Sequence, residues 1–201
     1  MEEGRMAWLY DALFGPILHR VQRKVVEMVK KHGCRNMLDM GCGTGMQCFL
    51  LRKNGLDVAG IDINPYMLFR ARKKGLECIR GDIAHLSFPS STFDCALLSF
   101  VFHLNDMASI RKIADEARRV VREGGGIIIA DYGAPRGRKG RMLSRFVKMV
   151  ERMAAEEHHR NYKRYEGRGY MEGIIEEFNL PVVEGAAFYH GNIEVVMLRN
   201  V

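Results

Sequence analysis

The stretch MLDMGCGTGMQCFLL, residues 37–51, decides how the chain folds. An apolar run ends at Asp39, glycines follow at positions 41, 43 and 45, and a second apolar run begins at Met46. This pattern predicts a strand, a tight turn and a helix in succession, because glycine permits the left-handed backbone of such a turn. The turn would leave main-chain N–H groups free for a ligand at the start of the helix, beside the carboxylate of Asp39.

Short apolar runs and helical patterns alternate along the rest of the chain. Strand-like runs occupy residues 36–40, 57–61, 77–80, 93–100 and 126–130, and helical patterns occupy residues 17–31, 46–53, 65–74 and 108–122. Two further strand-like runs, 182–189 and 193–199, are separated by HGN and predict a hairpin. Strands and helices in series imply parallel pairing with right-handed crossovers. We therefore expect an α/β fold: a Rossmann-like, doubly wound sheet of seven strands, mostly parallel with a C-terminal antiparallel hairpin, and with helices on both faces.

Length and composition indicate one ordinary globular domain. The 201 residues are enough for a single domain, residues 1–201, in which residues 135–181 form a helical lid insertion. The longest apolar runs fall short of the roughly 20 residues that a membrane span needs. The first residues lack a basic and then apolar leader, so we expect the protein to be cytoplasmic. The five cysteines form no C-x-x-C pair and are expected to be reduced thiols, with no metal site.

Acidic residues at three predicted strand ends indicate what the glycine turn binds. The dinucleotide fingerprint would place glycine or alanine at position 46, where Met46 stands, which disfavours a nicotinamide or flavin cofactor. The carboxylate of Asp39 would repel a pyrophosphate but attract a ligand that carries an ammonium and a sulfonium, as S-adenosylmethionine does. Asp62 and Asp82 follow the next two strands, where they could accept hydrogen bonds from a ribose and an adenine. As alternatives, Asp62 could cap the helix at residue 65 and Asp82 could be a turn aspartate.

The sequence resembles the class I S-adenosylmethionine-dependent methyltransferases, in particular the type 11 group that includes ubiquinone- and menaquinone-biosynthesis methyltransferases. The resemblance covers residues 10–132 and rests on LDMGCGTG, GIDINPYML, IRGDIAHLSFPSSTFDCALLSFVFHLND and EGGGIIIADY. It implies S-adenosylmethionine as cofactor, S-adenosylhomocysteine as product and no metal. The residues that it assigns to the cofactor are Asp39, Gly41, Cys42, Gly43 and Gly45 at the methionine end, Asp62 with Ile63 at the ribose and adenine, Asp82 with Ile83 at the adenine edge, Ser99 and Phe100 facing the donor, and Tyr10 closing over it.

Catalysis by such a protein would depend mainly on positioning. Methyl transfer is an in-line displacement at an activated carbon, and a base is required only if the nucleophile carries a proton. By analogy the candidate base is His103, after the fourth strand, and the alternatives are Tyr132 and Asp131 at the end of the fifth. His103 could instead pack and hydrogen-bond the following helix. No Asn-Pro-Pro-Tyr follows the fourth strand and no Pro-Cys pair occurs, so the usual marks of base-flipping methylation are missing.

Residues 136–168 carry the charge imbalance of the whole chain. They contain eleven Lys or Arg and four Glu, a net charge of +7, which is also the net charge of the full sequence. Two parallel rows recur at helical spacing, one cationic and one apolar: Arg138, Arg141, Arg145, Lys148 and Arg152 beside Met142, Phe146, Met149 and Met153. Three interpretations stay open. The helix packs its apolar row on the sheet, or its cations bind an anionic or amphiphilic acceptor or a bilayer, or they bind nucleic acid.

The sequence thus predicts an S-adenosylmethionine-dependent methyltransferase that acts on a small-molecule or lipid-like acceptor. The alternatives are an RNA methyltransferase that uses the basic insertion, and a non-catalytic S-adenosylmethionine-binding protein.

Overall fold

A computed structural model describes residues 18–152 and 156–201, apart from the side chain of residue 150. Seven strands form one sheet in the order β3-β2-β1-β4-β5-β7-β6. Strands β1 to β5 are parallel, and β7 is antiparallel to both of its neighbours, β5 and β6. The predicted fold class is confirmed. The strand bounds are β1 Asn36–Met40, β2 Asp57–Asp62, β3 Cys78–Arg80, β4 Phe93–Ser99, β5 Val121–Tyr132, β6 Val182–Phe188 and β7 Ile193–Arg199.

Helices connect the parallel strands and fill the insertion between β5 and β6. In the described chain, α1 spans residues 18–31, and the others are α2 Met46–Lys53, α3 Pro65–Arg72, α4 Met107–Val120, α5 Gly137–Glu151, α6 Glu156–Gly167 and α7 Met171–Phe178. A short 3-10 helix, Phe102–Leu104, follows β4. Helix α3 begins where the Asn64 side chain accepts from the main-chain N–H groups of Tyr66 and Met67. Among the described helices, none combines the length and the apolar character that crossing a bilayer requires.

The core lies on both faces of the central strands. Leu38 in β1, Leu97 in β4 and Ile128 in β5 are fully buried, as expected for parallel strands covered by helices on both sides. The boundary between α4 and β5 differs from the prediction, since α4 ends at Val120 and β5 begins at Val121, where a continued helix was expected. Val121 pairs with Phe93, so tertiary pairing overrides the local helical pattern there.

The expectation of five reduced thiols is wrong for two of them. Cys34 and Cys95 form a disulfide, with their Cα atoms 5.9 Å apart. Cys34 lies just before β1, and Cys95 lies in the neighbouring strand β4, opposite Met37. The two residues are 61 positions apart in sequence, so only the pairing of β1 with β4 brings them together. Cys42, Cys48 and Cys78 are free and buried.

Candidate functional site

The glycine loop is fixed to the end of β2 by three main-chain donors. The N–H groups of Gly41 and Cys42 donate to the Ile61 carbonyl at 2.8 and 3.0 Å, and that of Gly43 donates to Asp62 Oδ2 at 2.7 Å. Gly43 has a φ of +53°, and a methyl group built on it would meet nothing within 4 Å. Gly45 also has a positive φ, but a methyl group there would collide with Leu76. Packing against Leu76 therefore explains the absence of a side chain at Gly45, whereas at Gly43 the absence of a side chain leaves open space over the main chain.

The acids at the ends of β2 and β3 lie in adjoining loops, because Gly81 N–H donates to the Asp62 carbonyl at 3.1 Å. Asp62 Oδ1 accepts from the main-chain N–H of Asn64 at 2.8 Å. Asp82 Oδ1 accepts from the N–H of Ala84 at 2.9 Å, and its pKa is lowered chiefly by that bond. Asp82 thus stabilises a turn, as its alternative interpretation expected, whereas the alternative for Asp62 is wrong, because Asn64 and not Asp62 caps helix α3. Each oxygen has a second lone pair, so these contacts leave acceptor capacity for a ligand.

Asp39 lies beneath the loop and is only 2% exposed. Its Oδ2 accepts from Cys48 Sγ at 3.1 Å, and its Oδ1 is buried with no hydrogen-bond partner among the described residues. Burial raises the pKa of this carboxyl to about 7, and the nearby charges of Cys78 and Asp62 act in the same direction. The site therefore contains a buried acceptor that is poised to ionise near neutral pH. This chemistry fits a cationic ligand, since a positive charge would favour the carboxylate.

Three thiols surround Gly60 under the same loop. A methyl group on Gly60 would stand 2.9 Å from the sulfurs of Cys42 and Cys78 and 3.1 Å from that of Cys48. Hydrogen bonds from its two neighbours lower the pKa of the Cys78 thiol. No pattern in the sequence indicates this cluster, because its members belong to the loop, α2 and β3 and share no spacing motif. In the described parts of the chain, no group of three or more His, Cys, Asp or Glu side chains is arranged to hold a metal ion.

His103 forms a buried pair with Asp131. Its Nδ1 lies 2.7 Å from Asp131 Oδ1, and the histidine is 4% exposed while the aspartate is fully buried. Asp131 also accepts from the main-chain N–H groups of Phe102 and Tyr132, at 2.9 and 2.8 Å. Burial alone would lower the pKa of His103, but the charge and hydrogen bond of Asp131 outweigh it, so the pKa is raised. The three residues considered as bases, His103, Asp131 and Tyr132, are thus brought together.

Tyr132 closes this cluster from the other side. Its hydroxyl donates to Glu151 Oε1 at 2.9 Å, and its ring centroid is 4.8 Å from that of His103 and 5.7 Å from that of Phe100. The Tyr165 hydroxyl, from α6, donates to the Tyr132 carbonyl at 2.6 Å. The histidine therefore has the packing role considered above as well as a polar partner. Glu151 was missed, although it is an isolated acid in a basic helix.

The remaining predicted contacts lie around the same edge. Ile63 is 65% exposed after β2, while Ser99 and Phe100 are half-buried at the end of β4. Ile83 is half-buried, with its Cδ1 4.0 Å from a methyl group built on Gly41. Val101, which the sequence analysis did not select, would lie 2.8 Å from that methyl group. Tyr10 lies outside the described residues. The assignment of these residues to a cofactor remains a prediction.

Comparison with known proteins identifies the domain. A family model described as "Methyltransferase domain" matches residues 38–129, from β1 through most of β5. The demethylmenaquinone methyltransferase of Thermus thermophilus is 32% identical over 139 residues, which cover 63% of this chain and 62% of that protein. The demethylmenaquinone methyltransferase of Tropheryma whipplei is 32% identical over 119 residues, which cover 57% of this chain and 49% of that protein. The chain thus spans about half to three fifths of the length of these relatives.

Solved structures agree on the fold. A protein of Thermotoga maritima, described as an S-adenosylmethionine-dependent methyltransferase and possible histamine N-methyltransferase, superposes with a TM-score of 0.71. It is 18% identical, and the match covers 98% of this chain and 97% of that one. A Pyrococcus horikoshii protein gives a TM-score of 0.69 at 19% identity, with 90% of both chains covered. The methyltransferase family model, which matches just under half of the chain, and these relatives together support a class I S-adenosylmethionine-dependent methyltransferase of the type 11 group.

Proposed function

We propose that this protein transfers a methyl group from S-adenosylmethionine to a small, lipid-like acceptor. The observation that carries the proposal is the open main chain at Gly43, bonded directly to the Asp62 carboxylate and lying above a buried acid. When bound, the donor would supply an electrophilic methyl group on a sulfonium. The quinone-biosynthesis methyltransferases among the relatives support the choice of a lipid-like acceptor.

The residues of this chain would divide the work of binding. Asp62 would accept from the ribose hydroxyls with the lone pairs that its main-chain contacts leave free, and Asp82 would do the same for the adenine amino group. The buried carboxylate of Asp39 would stabilise the positive charge of the donor by electrostatic attraction, which is stronger inside a protein than in water. The half-buried Ser99 and Phe100 would line the donor on the β4 side. Tyr10 would close over it, which stays a prediction from the resemblance.

Proton removal, where the acceptor needs it, would fall to His103. Asp131 accepts the Nδ1 proton in this proposal, which fixes the tautomer and leaves Nε2 as the basic nitrogen. No described residue hydrogen-bonds that second nitrogen. Tyr132 would hold the ring in place by edge-to-face packing and is the alternative proton acceptor. Helix α6 covers this cluster through Tyr165, in keeping with the expected lid role of residues 135–181.

A second candidate is a non-catalytic S-adenosylmethionine-binding protein. It is favoured by the packing of Phe100, His103 and Tyr132, whose rings meet edge to face where an acceptor would need space. A labelled-methyl assay with quinone precursors and lipids as acceptors separates the two candidates. Transfer to any acceptor supports the enzyme, whereas donor binding without transfer across the panel supports the second candidate.

Donor binding is tested by calorimetry with S-adenosylhomocysteine. The Asp62→Ala variant should bind it less tightly by about 1.5–3 kcal/mol, the range for a hydrogen bond to a charged group. The matched control is Asp57→Ala, which removes an exposed acid at the opposite end of the same strand. Equal affinities for the two variants would remove Asp62 from the site, and a thermal melt of each variant would show whether unfolding accounts for any loss of binding. The expected cytoplasmic location stays a prediction, which cell fractionation would test.

A further inference from the structure

Helix α5 turns one apolar row toward solvent, although Val147 packs against the core. Its buried positions include Gly140, Ser144 and Glu151, two of which are polar. Met142, Phe146 and Met149 point outward and are 70%, 50% and 53% exposed. A surface helix ordinarily turns its apolar row toward the core. The interpretation that this row packs on the sheet is therefore wrong for the described residues.

Specific contacts hold the inward face of α5 and restrict its rotation about the helix axis. Glu151 Oε1 accepts from the Tyr132 hydroxyl at 2.9 Å, and the Gly140 carbonyl accepts from Asn192 Nδ2 at 3.0 Å. A methyl group on Gly140 would stand 2.7 Å from the His190 carbonyl, so the helix approaches the β6–β7 turn closely. Rotating the helix to bury its apolar row would break these contacts.

Unpaired cations flank the exposed apolar row. Arg138, Arg141 and Arg145 are all exposed, and none has an ion pair with a described residue. Their neighbours differ, since Arg136 pairs with Glu194 and Lys148 pairs with Glu166. We name the outward surface of the helix, formed by Arg138, Arg141, Met142, Arg145, Phe146 and Met149, the α5 outer face.

We propose that the α5 outer face docks on the surface of an anionic lipid bilayer. On such a surface the apolar side chains would insert at the boundary of the acyl chains. The guanidinium groups would bind lipid phosphates at the same time. A second copy of the chain would bring like charges together, and nucleic acid would use the cations but leave Phe146 and the two methionines exposed. The proposal goes beyond methyl transfer and does not depend on it.

Vesicle sedimentation tests the proposal with the full chain. The protein should bind vesicles of phosphatidylcholine mixed with phosphatidylglycerol and bind pure phosphatidylcholine much more weakly. Removing apolar contact by the double change Phe146→Ser and Met149→Ser should lower the partition coefficient roughly tenfold or more. The double change Arg141→Gln and Arg145→Gln should lower it by roughly fivefold per cation and reduce its dependence on salt.

The control is Phe69→Ser on α3, since Phe69 is 53% exposed and thus comparable with Phe146. The control should bind vesicles as the parent protein does, and thermal melts should show all variants folded, because the changed side chains face solvent. Four outcomes would overturn the proposal: no binding to the mixed vesicles, equal loss with the Phe69 control, self-association that the Phe146 and Met149 changes abolish, and binding to duplex RNA without binding to vesicles.

Discussion

Replacement of Asp39 by asparagine should change the pH dependence of stability in a way that no surface acid can. The pKa of Asp39 is raised from the ordinary 3.8 to about 7 by burial. The folded protein therefore holds a proton that the unfolded chain releases between these two values. The contribution of Asp39 to stability is therefore greatest at low pH and is lost as the pH rises toward 7, the opposite of the usual carboxylate, because the unfolded state favours the charged form.

The size of the effect follows from the two pKa values. Between pH 5 and pH 8 the unfolded carboxyl is ionised throughout, while the folded one passes from almost fully protonated to almost fully charged. At about 1.4 kcal/mol per pH unit of full proton difference, Asp39 should cost the wild type about 2–3 kcal/mol over this interval. Asparagine keeps the shape and cannot ionise, so the variant is spared this loss. Its amide adds N–H groups that need acceptors, which is a cost independent of pH.

Urea unfolding of both proteins at pH 5, 6, 7 and 8 measures the difference. Other titrating groups are common to the two chains, so subtraction isolates residue 39. The free energy of unfolding of Asp39→Asn, relative to wild type, should rise by about 2–3 kcal/mol from pH 5 to pH 8. A difference that stays flat with pH would refute the reasoning, because it would mean that Asp39 ionises in the folded protein as readily as in water.

Two further changes test the packing around the site. Gly60→Ala should lower the free energy of unfolding by about 1–3 kcal/mol, because its methyl group would crowd the three thiols at about 3 Å. Chemical denaturation measures this change. The control is Gly185→Ala, whose methyl group would have only ordinary contact at 3.8 Å and should change the free energy little. Similar losses in both variants would contradict the crowding. Asp131→Asn should cost about 3–5 kcal/mol at pH 6 as a broken buried pair. The destabilisation should shrink as the pH rises through the raised pKa of His103. The reason is that pairing of Asp131 with the imidazolium is complete below the ordinary pKa of 6.5 and disappears above the pKa of the folded protein. A destabilisation that does not vary with pH would mean that His103 is neutral throughout.

Local sequence determined the elements and their order. Helix α2 has the predicted bounds, and β1 and β7 do as well, because apolar periodicity, glycine and capping residues act over a few positions. The edge where the acids gather was also predictable, since the carboxyl ends of parallel strands meet at one side of the sheet. The methyltransferase fold followed from these local signals together with the motif resemblance.

Only the tertiary structure decided which groups meet across the chain. The Cys34–Cys95 disulfide depends on β1 lying beside β4, and the three thiols around Gly60 depend on the loop, α2 and β3 converging. The orientation of α5 is the clearest case. Its two rows were visible in the sequence, but periodicity fixes only the angle between side chains and not the side that faces the core. Contacts of Glu151 and Gly140 determine which side faces inward, because buried polar groups need hydrogen-bond partners. Glu151 finds its partner in Tyr132, and the Gly140 carbonyl finds its partner in Asn192.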